Sequence, residues 1–196
     1  MDFSPSPTVP YSNASLLKCQ AFVVFSHAEM QSYWEAVTRR ILSEAEDRWK
    51  NSCVVDRVLA ALVAFRQPER VSVPLDPLAP HSGGNFEKIV EQAIKTQANV
   101  VGENNGIKRK NIADLLVPLG VFPGDLIETM LIQLDRTGKA RGDMVHKSSK
   151  VSLRTIRDPF ADEMKDIEEL IAEIEKFDCR LESLNLLSRP EAHINP

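Results

Sequence analysis

Apolar residues along the chain recur at spacings of three and four, and this period predicts helices nearly everywhere. From Asn13 to Trp49 the series Leu17, Ala21, Val24, Phe25, Ala28, Val37, Ile41, Ala45, Trp49 runs without a Gly or Pro, and Ser12, Asn13 and Ser15 offer N-caps. A helix is expected over 55–66, where VDRVLAALVAF (55–65) is apolar nearly all round and reads as buried. RQPERVSVPLDPLAPHSGG (66–84), with four prolines and a Gly pair, is a loop. Helix resumes near Asn85 and stops near Gly102, before GENNGIK. KNIADLLVPL makes a short helix ended by Pro118 and Gly120, and the next begins after PGD (123–125) with Asp125 near its start. Leu126, Met130, Leu131, Leu134 and Val145 mark its inner side. Asp158–Pro159 is a start signal for a last helix, whose stripe is Phe160, Met164, Ile167, Ile171, Ile174, Phe177, Leu181 and Leu184. Strand signals are confined to VSVPL and KVSL.

The fold expected is therefore all-α, an antiparallel helical bundle with an additional long C-terminal helix. Residues 1–12 read as a flexible arm, 13–150 as the main helical domain, and 158–187 as an amphipathic helix packed on that domain or on a dimer partner.

Composition narrows the setting. The 196 residues, 43% hydrophobic and 27% charged, suit one soluble domain. Cys19, Cys53 and Cys179 are odd in number and widely spaced, so neither a disulfide framework nor a zinc site is expected, and a reducing cytoplasm fits. The longest apolar run, VLAALVAF (58–65), is too short to span a bilayer, and the first residues lack the pattern of a signal peptide. The net charge of −4 argues against a generally basic nucleic-acid binder, but the charge is unevenly spread. Arg136 to Arg157 carries a local +6, and Asp158 to Glu182 a local −7. That arrangement suits either an anion site beside a solvated helix or two faces that pair with each other.

Phosphate-loop, dinucleotide, HExxH and GxSxG patterns are all missing from the sequence, and its four histidines form no local metal-ligand pair. The remaining candidate is KARGDMVHKS (139–148), in which four residues separate Arg141 from His146. Metal-free RNA cleavage needs a base for the 2′-hydroxyl, an acid for the leaving 5′-oxygen and a fixed cation for the phosphorane. Histidine supplies the first two near neutral pH, and arginine the third. Geometry works against the pair, because five positions on a straight helix set two side chains about 140° apart and ~7.5 Å along the axis. Gly138 and Gly142 are the places where the helix would bend to bring them together. The plain alternative is two solvent-facing cations near a helix C-terminus.

Three segments together resemble the HEPN superfamily, in particular its RiboL-PSP-HEPN-like branch. LLKCQAFVVFSHAEMQSYWEAV (16–37) is similar to the first helix of that branch, with Glu29 after a small residue. NNGIKRKNIADLLVPLGV (104–121) resembles its Gly-Ile-Lys segment and the short helix leading to a Pro-Leu-Gly turn, and LIQLDRTGKARGDMVHKS (131–148) its closing helix. Val145, Lys147 and Gly142 depart from the residues that usually flank the pair. The resemblance implies a metal-independent endoribonuclease without cofactors that acts as a homodimer on RNA. It also implies a toxin or anti-phage setting, with a cognate antitoxin or defence partner. Arg141 and His146 would be catalytic, with Glu29, Asp143 and Lys147 in support or on substrate. Glu29 would orient Arg141 or His146, or make a structural salt bridge elsewhere. His27 is expected to be a surface or hydrogen-bonded residue. The alternative function is an inactive dimeric scaffold or an RNA- or protein-binding module.

Overall fold

The computed structural model describes residues 11–66, 83–146 and 158–187, and side chains within these ranges except at 83–85, 145, 146, 159 and 160. Most of the expected N-terminal arm, the Pro-rich loop from 67 to 82, and Lys147 with the rest of the basic segment to Arg157 lie outside the described residues. Those described are all-α, with no strand among them. The helices are α1 (Asn13–Ser52), α2 (Arg57–Arg66), α3 (Gly83–Gly102), α4 (Arg109–Leu116), α5 (Glu128–His146) and α6 (Lys165–Ser183). Short 3₁₀ turns cover Val117–Leu119 and Pro123–Asp125, and a π-helical turn, Pro159–Met164, leads into α6. No described helix is long and apolar enough to cross a membrane.

Local chemistry sets the boundaries. The Ser12 hydroxyl accepts the Ser15 amide at 3.1 Å and caps α1. The Asp56 carboxylate accepts the Leu59 amide at 2.9 Å, so α2 begins two residues later than its apolar run suggests. Asp125 does not open α5. It accepts the Phe122 amide within the preceding 3₁₀ turn, and α5 starts at Glu128. Asp158 caps the last helical stretch by accepting the Ala161 amide at 2.7 Å. Its carbonyl is shared by the amides of Asp162 and Glu163, each at 3.1 Å, and the second of these is the wide i→i+5 bond of a π turn.

Contacts divide the chain into two compact units. The first comprises residues up to Tyr33, Asn105–Asn111 and Leu126–Arg180; the second holds Trp34–Asn104, Ile112–Asp125 and the residues from Leu181.

In the first unit, α5 and α6 run antiparallel. Thr129 donates to Glu173 at 2.7 Å, Gln133 to Glu169 at 3.4 Å and Arg136 to Asp166 at 3.3 Å, each step up α5 being a step down α6. The basic and acidic stretches thus pair in part, through Arg136. The N-terminal half of α1 touches both helices: Gln20 Nε2 donates to the Met144 carbonyl of α5 at 3.3 Å, and the Tyr33 hydroxyl donates to Asp178 of α6. Cys19, Val23, Met30, Leu134, Leu170 and Phe177 fill the space between.

That burial corrects the expected stripe on α1. Leu17 and Phe25 are 51% and 66% exposed, and the inner row is Cys19, Val23, His27, Met30 and Trp34. The first half of α1 carries apolar residues on two faces, and period alone does not say which one meets the neighbours. Similarly, Ile171 of α6 is 46% exposed, and Leu170 is buried in its place.

The second unit packs Trp34, Ile41, Leu59, Leu62, Leu116 and Leu119 into a core. A buried amide organises its polar side. Gln97 on α3 donates to the carbonyls of Asp114 and Leu115 at 3.2 and 3.0 Å and accepts Arg66 Nε at 3.0 Å. The carbonyls at the end of α4 have no further turn to accept from, so this side chain takes the place of a helical partner. Gly120 closes the turn after α4 at φ 88°, where a side chain would be strained. Replacing Gln97 with Met should therefore cost about 2–3 kcal/mol in urea unfolding, because buried carbonyls lose their donors. A loss below ~0.5 kcal/mol would show that Gln97 merely fills space.

Candidate functional site

Helix α5 carries the Arg141–His146 pair, and it is continuous. Helical structure extends from Glu128 to His146 through both Gly138 and Gly142. The expected bend at these glycines does not form. Neither has a positive φ, and Gly142 has no neighbour within 4 Å of where a Cβ would stand. Within one chain Arg141 and His146 are thus held about 140° apart around the axis, as an unbroken helix dictates.

Gly138 has a different role. A Cβ there would lie 2.8 Å from Cγ of Lys108, so the lysine stem crosses α5 at the residue that leaves room for it. The approach of Lys108 is fixed by its neighbour. Asp135 of α5 accepts the Arg109 amide at 2.8 Å, and Glu128 pairs with the Arg109 guanidinium at 2.7 Å, pinning the start of α4 to α5. Lys108 itself is exposed beyond its stem.

Arg141 lies on the inner row of α5. Met130, Leu134, Thr137 and Met144 on that row are buried, and Arg141 between them is half-buried. On α1, His27 lies two turns after Gln20 on the same face and is only 4% exposed. Burial pushes its imidazole below the ordinary histidine range, and the positive charges of Arg141 and Lys108 push in the same direction. His27 is thus a buried imidazole kept neutral near two cations; of the expectations of a surface or a hydrogen-bonded residue, burial removes the first. Its spacing from Val23 and Met30, four and three residues, was the available signal.

The other candidates are placed as follows. Glu29 is exposed and lies along α1 beside Ile171, Ile174 and Asp178 of α6, on a different face from His27. The cost of burying an unpaired carboxylate therefore does not arise for it. Asp143 is half-buried near the end of α5. His146 is the last residue of α5, with its side chain outside the description, and Lys147 lies beyond the described residues. Among the described residues no three of His, Cys, Asp and Glu gather as metal ligands would, and the three cysteines are free thiols. The positive charges of half-buried Arg141 and exposed Lys108 both reach the buried His27, and two cations with a neutral imidazole are groups that can attract an anion.

Comparison with known protein families, curated proteins and solved structures finds no match to this chain.

Two outcomes follow from the geometry. His27 has a folded pKa below its unfolded value, so the folded state takes up its proton less readily. The stability this contributes is full above about pH 6.5 and is lost as pH falls below it toward the folded pKa. His27→Gln should flatten the fall in urea midpoint between about pH 7 and pH 5.5; an unchanged slope would mean that His27 titrates normally. Gly142→Ala should raise stability by about 0.5–1 kcal/mol, and Gly138→Ala should gain less because it displaces Lys108.

Proposed function

We propose that the protein is a metal-independent endoribonuclease of HEPN type, working as a cytoplasmic homodimer in a toxin or anti-phage role. One observation carries the reading. The three sequence segments that resemble that superfamily each contribute one basic residue to one electrostatic environment: His27 from the first feels the charges of Lys108 from the second and Arg141 from the third, and the Lys108 stem lies against α5 at Gly138.

In the proposed reaction Arg141 binds the scissile phosphate, where a permanently charged, planar guanidinium offsets charge developing on the phosphorane. Lys108 adds a point charge beside it. His27, kept neutral by burial, backs the arginine without competing for the phosphate as a second cation. One His146 takes the proton from the 2′-hydroxyl. The 2′-oxygen attacks phosphorus, and the 5′-oxygen leaves with a proton from a second histidine. The products are a 2′,3′-cyclic phosphate and a 5′-hydroxyl.

The continuity of α5 supports the dimer within this reading. One chain holds Arg141 and His146 on separated faces and has one His146, whereas the reaction uses a base and an acid together. Two copies with the ends of α5 facing each other supply two imidazoles and two guanidinium groups to one cleft. Asp143 and Lys147 flank that cleft in sequence, as a support and a phosphate contact.

Purified protein incubated with total RNA in EDTA should leave cyclic phosphate ends. Arg141→Ala and His146→Ala should each lower the rate by about 10²–10³-fold. Rates unchanged in either variant would reject the assignment. Absence of cleavage by the wild-type protein, with RNA binding retained, would favour the non-catalytic binding module. A strictly monomeric protein would exclude a shared site.

A further inference from the structure

The exposed face of α1 that the sequence assigned to the core borders a groove. It lies between Phe22–Tyr33 of α1 and Ile167–Asp178 of α6 and encloses about 560 Å³. Met30, Ile167 and Ile174 form its floor, each 6–7% exposed. Phe25 and Ile171 stand at its lips, 66% and 46% exposed. The Tyr33–Asp178 hydrogen bond closes one end, and burial together with that bond holds the phenol above its ordinary range, so it stays neutral. The two helices are parallel here, and the trough between them runs along about three turns of α1, the length of a short helix.

We propose that this groove docks an amphipathic, lysine- and arginine-rich helix of a partner protein. Apolar anchors at i, i+3 or i+4, and i+7 on such a helix would fill the trough and cover Phe25 and Ile171, completing a seam of three helices. The charge argument selects this occupant. Among the described residues, every charged residue lining the groove is an acid: Glu29, Glu175 and Asp178. The surrounding stretch from Asp158 to Glu182 carries a net −7, and Lys18, one turn before Phe22, lies outside the lining. A second copy of this chain would bring the same carboxylates face to face across the seam, which opposes self-pairing. Polyanions such as RNA, and anionic membrane surfaces, are repelled by the same rim. A cationic helix meets both the apolar floor and the acidic lips. The groove contains neither Arg141 nor His146, so this inference stands or falls separately from the nuclease reading.

The full chain is titrated into a labelled peptide with leucines at i, i+3, i+4 and i+7 on a lysine background, and anisotropy is read. Two control peptides accompany it: one with the same composition permuted to destroy the apolar face, and one with glutamate in place of lysine. The lysine peptide should bind and both controls should not. Phe25→Ser with Ile171→Ser should weaken binding at least about tenfold. Glu29→Lys with Glu175→Lys should weaken the lysine peptide and admit the glutamate peptide. All four positions are exposed, so these variants keep the core, and the charge-swapped pair tests the idea even if the serine pair is unstable. Failure of the lysine peptide to bind, equal binding of the permuted peptide, or binding insensitive to both variant pairs would overturn the proposal. So would a dimer of the free protein that the serine pair splits, since a second copy would then occupy the groove.

Discussion

Continuity of hydrogen bonding along α5 is the constraint from which the rest of the candidate site follows. With Gly138 and Gly142 held in helix, Arg141 falls on the inner row with Leu134, Thr137 and Met144, and residues five positions on fall elsewhere. The row is anchored at both ends. Asp135 and Glu128 fasten the start of α4 to it, and the Met144 carbonyl accepts from Gln20 of α1. These contacts hold the backbone of the row in place, and Arg141 on it is half-buried.

The same arrangement explains why the cluster tolerates three basic groups. Three charges packed together would repel, and burying any of them alone would be costly. The unit resolves this by leaving His27 uncharged inside while Lys108 projects outward over Gly138. Gly138 is then a matter of space for a lysine stem, and Gly142 is an ordinary helical position with no steric demand on it. The two glycines look alike in the sequence, and only the neighbouring α4 segment distinguishes them.

What was legible in the sequence follows from the range of each interaction. Helix existence and ends depend on local period and caps, so α1, α3, the Asp158–Pro159 start and the Gly120 stop could all be read within about three residues. The π turn after Asp158 and the late start of α5 depend on which amide reaches which acceptor, and composition does not encode that. The larger miss concerns orientation. Leu17 and Phe25 and the row Cys19, Val23, Met30, Trp34 both keep helical spacing, and only the partners α5 and α6 determine which face is buried. Choosing the wrong face also misplaced the chemistry. Glu29 was the residue expected to orient Arg141 or His146, while His27, two residues earlier and about 200° around the axis, is the one that feels the charge of Arg141.

That misreading bears on how the first half of α1 is used. A helix needs one apolar face to join a core, and this one has a second that the described residues cover only partly. Isolated exposed apolar side chains are ordinary on a protein surface, but here Phe25 and Ile171 border one trough with a shared buried floor and one sign of charge. The two faces also have opposite electrostatics: cations and a neutral imidazole on the α5 side, carboxylates on the α6 side. A single helix thereby separates a face that carries positive charge from one that carries negative charge. Because both faces belong to the same rigid turns of α1, a ligand that shifted these turns on the α6 side would disturb the packing of His27 behind Arg141.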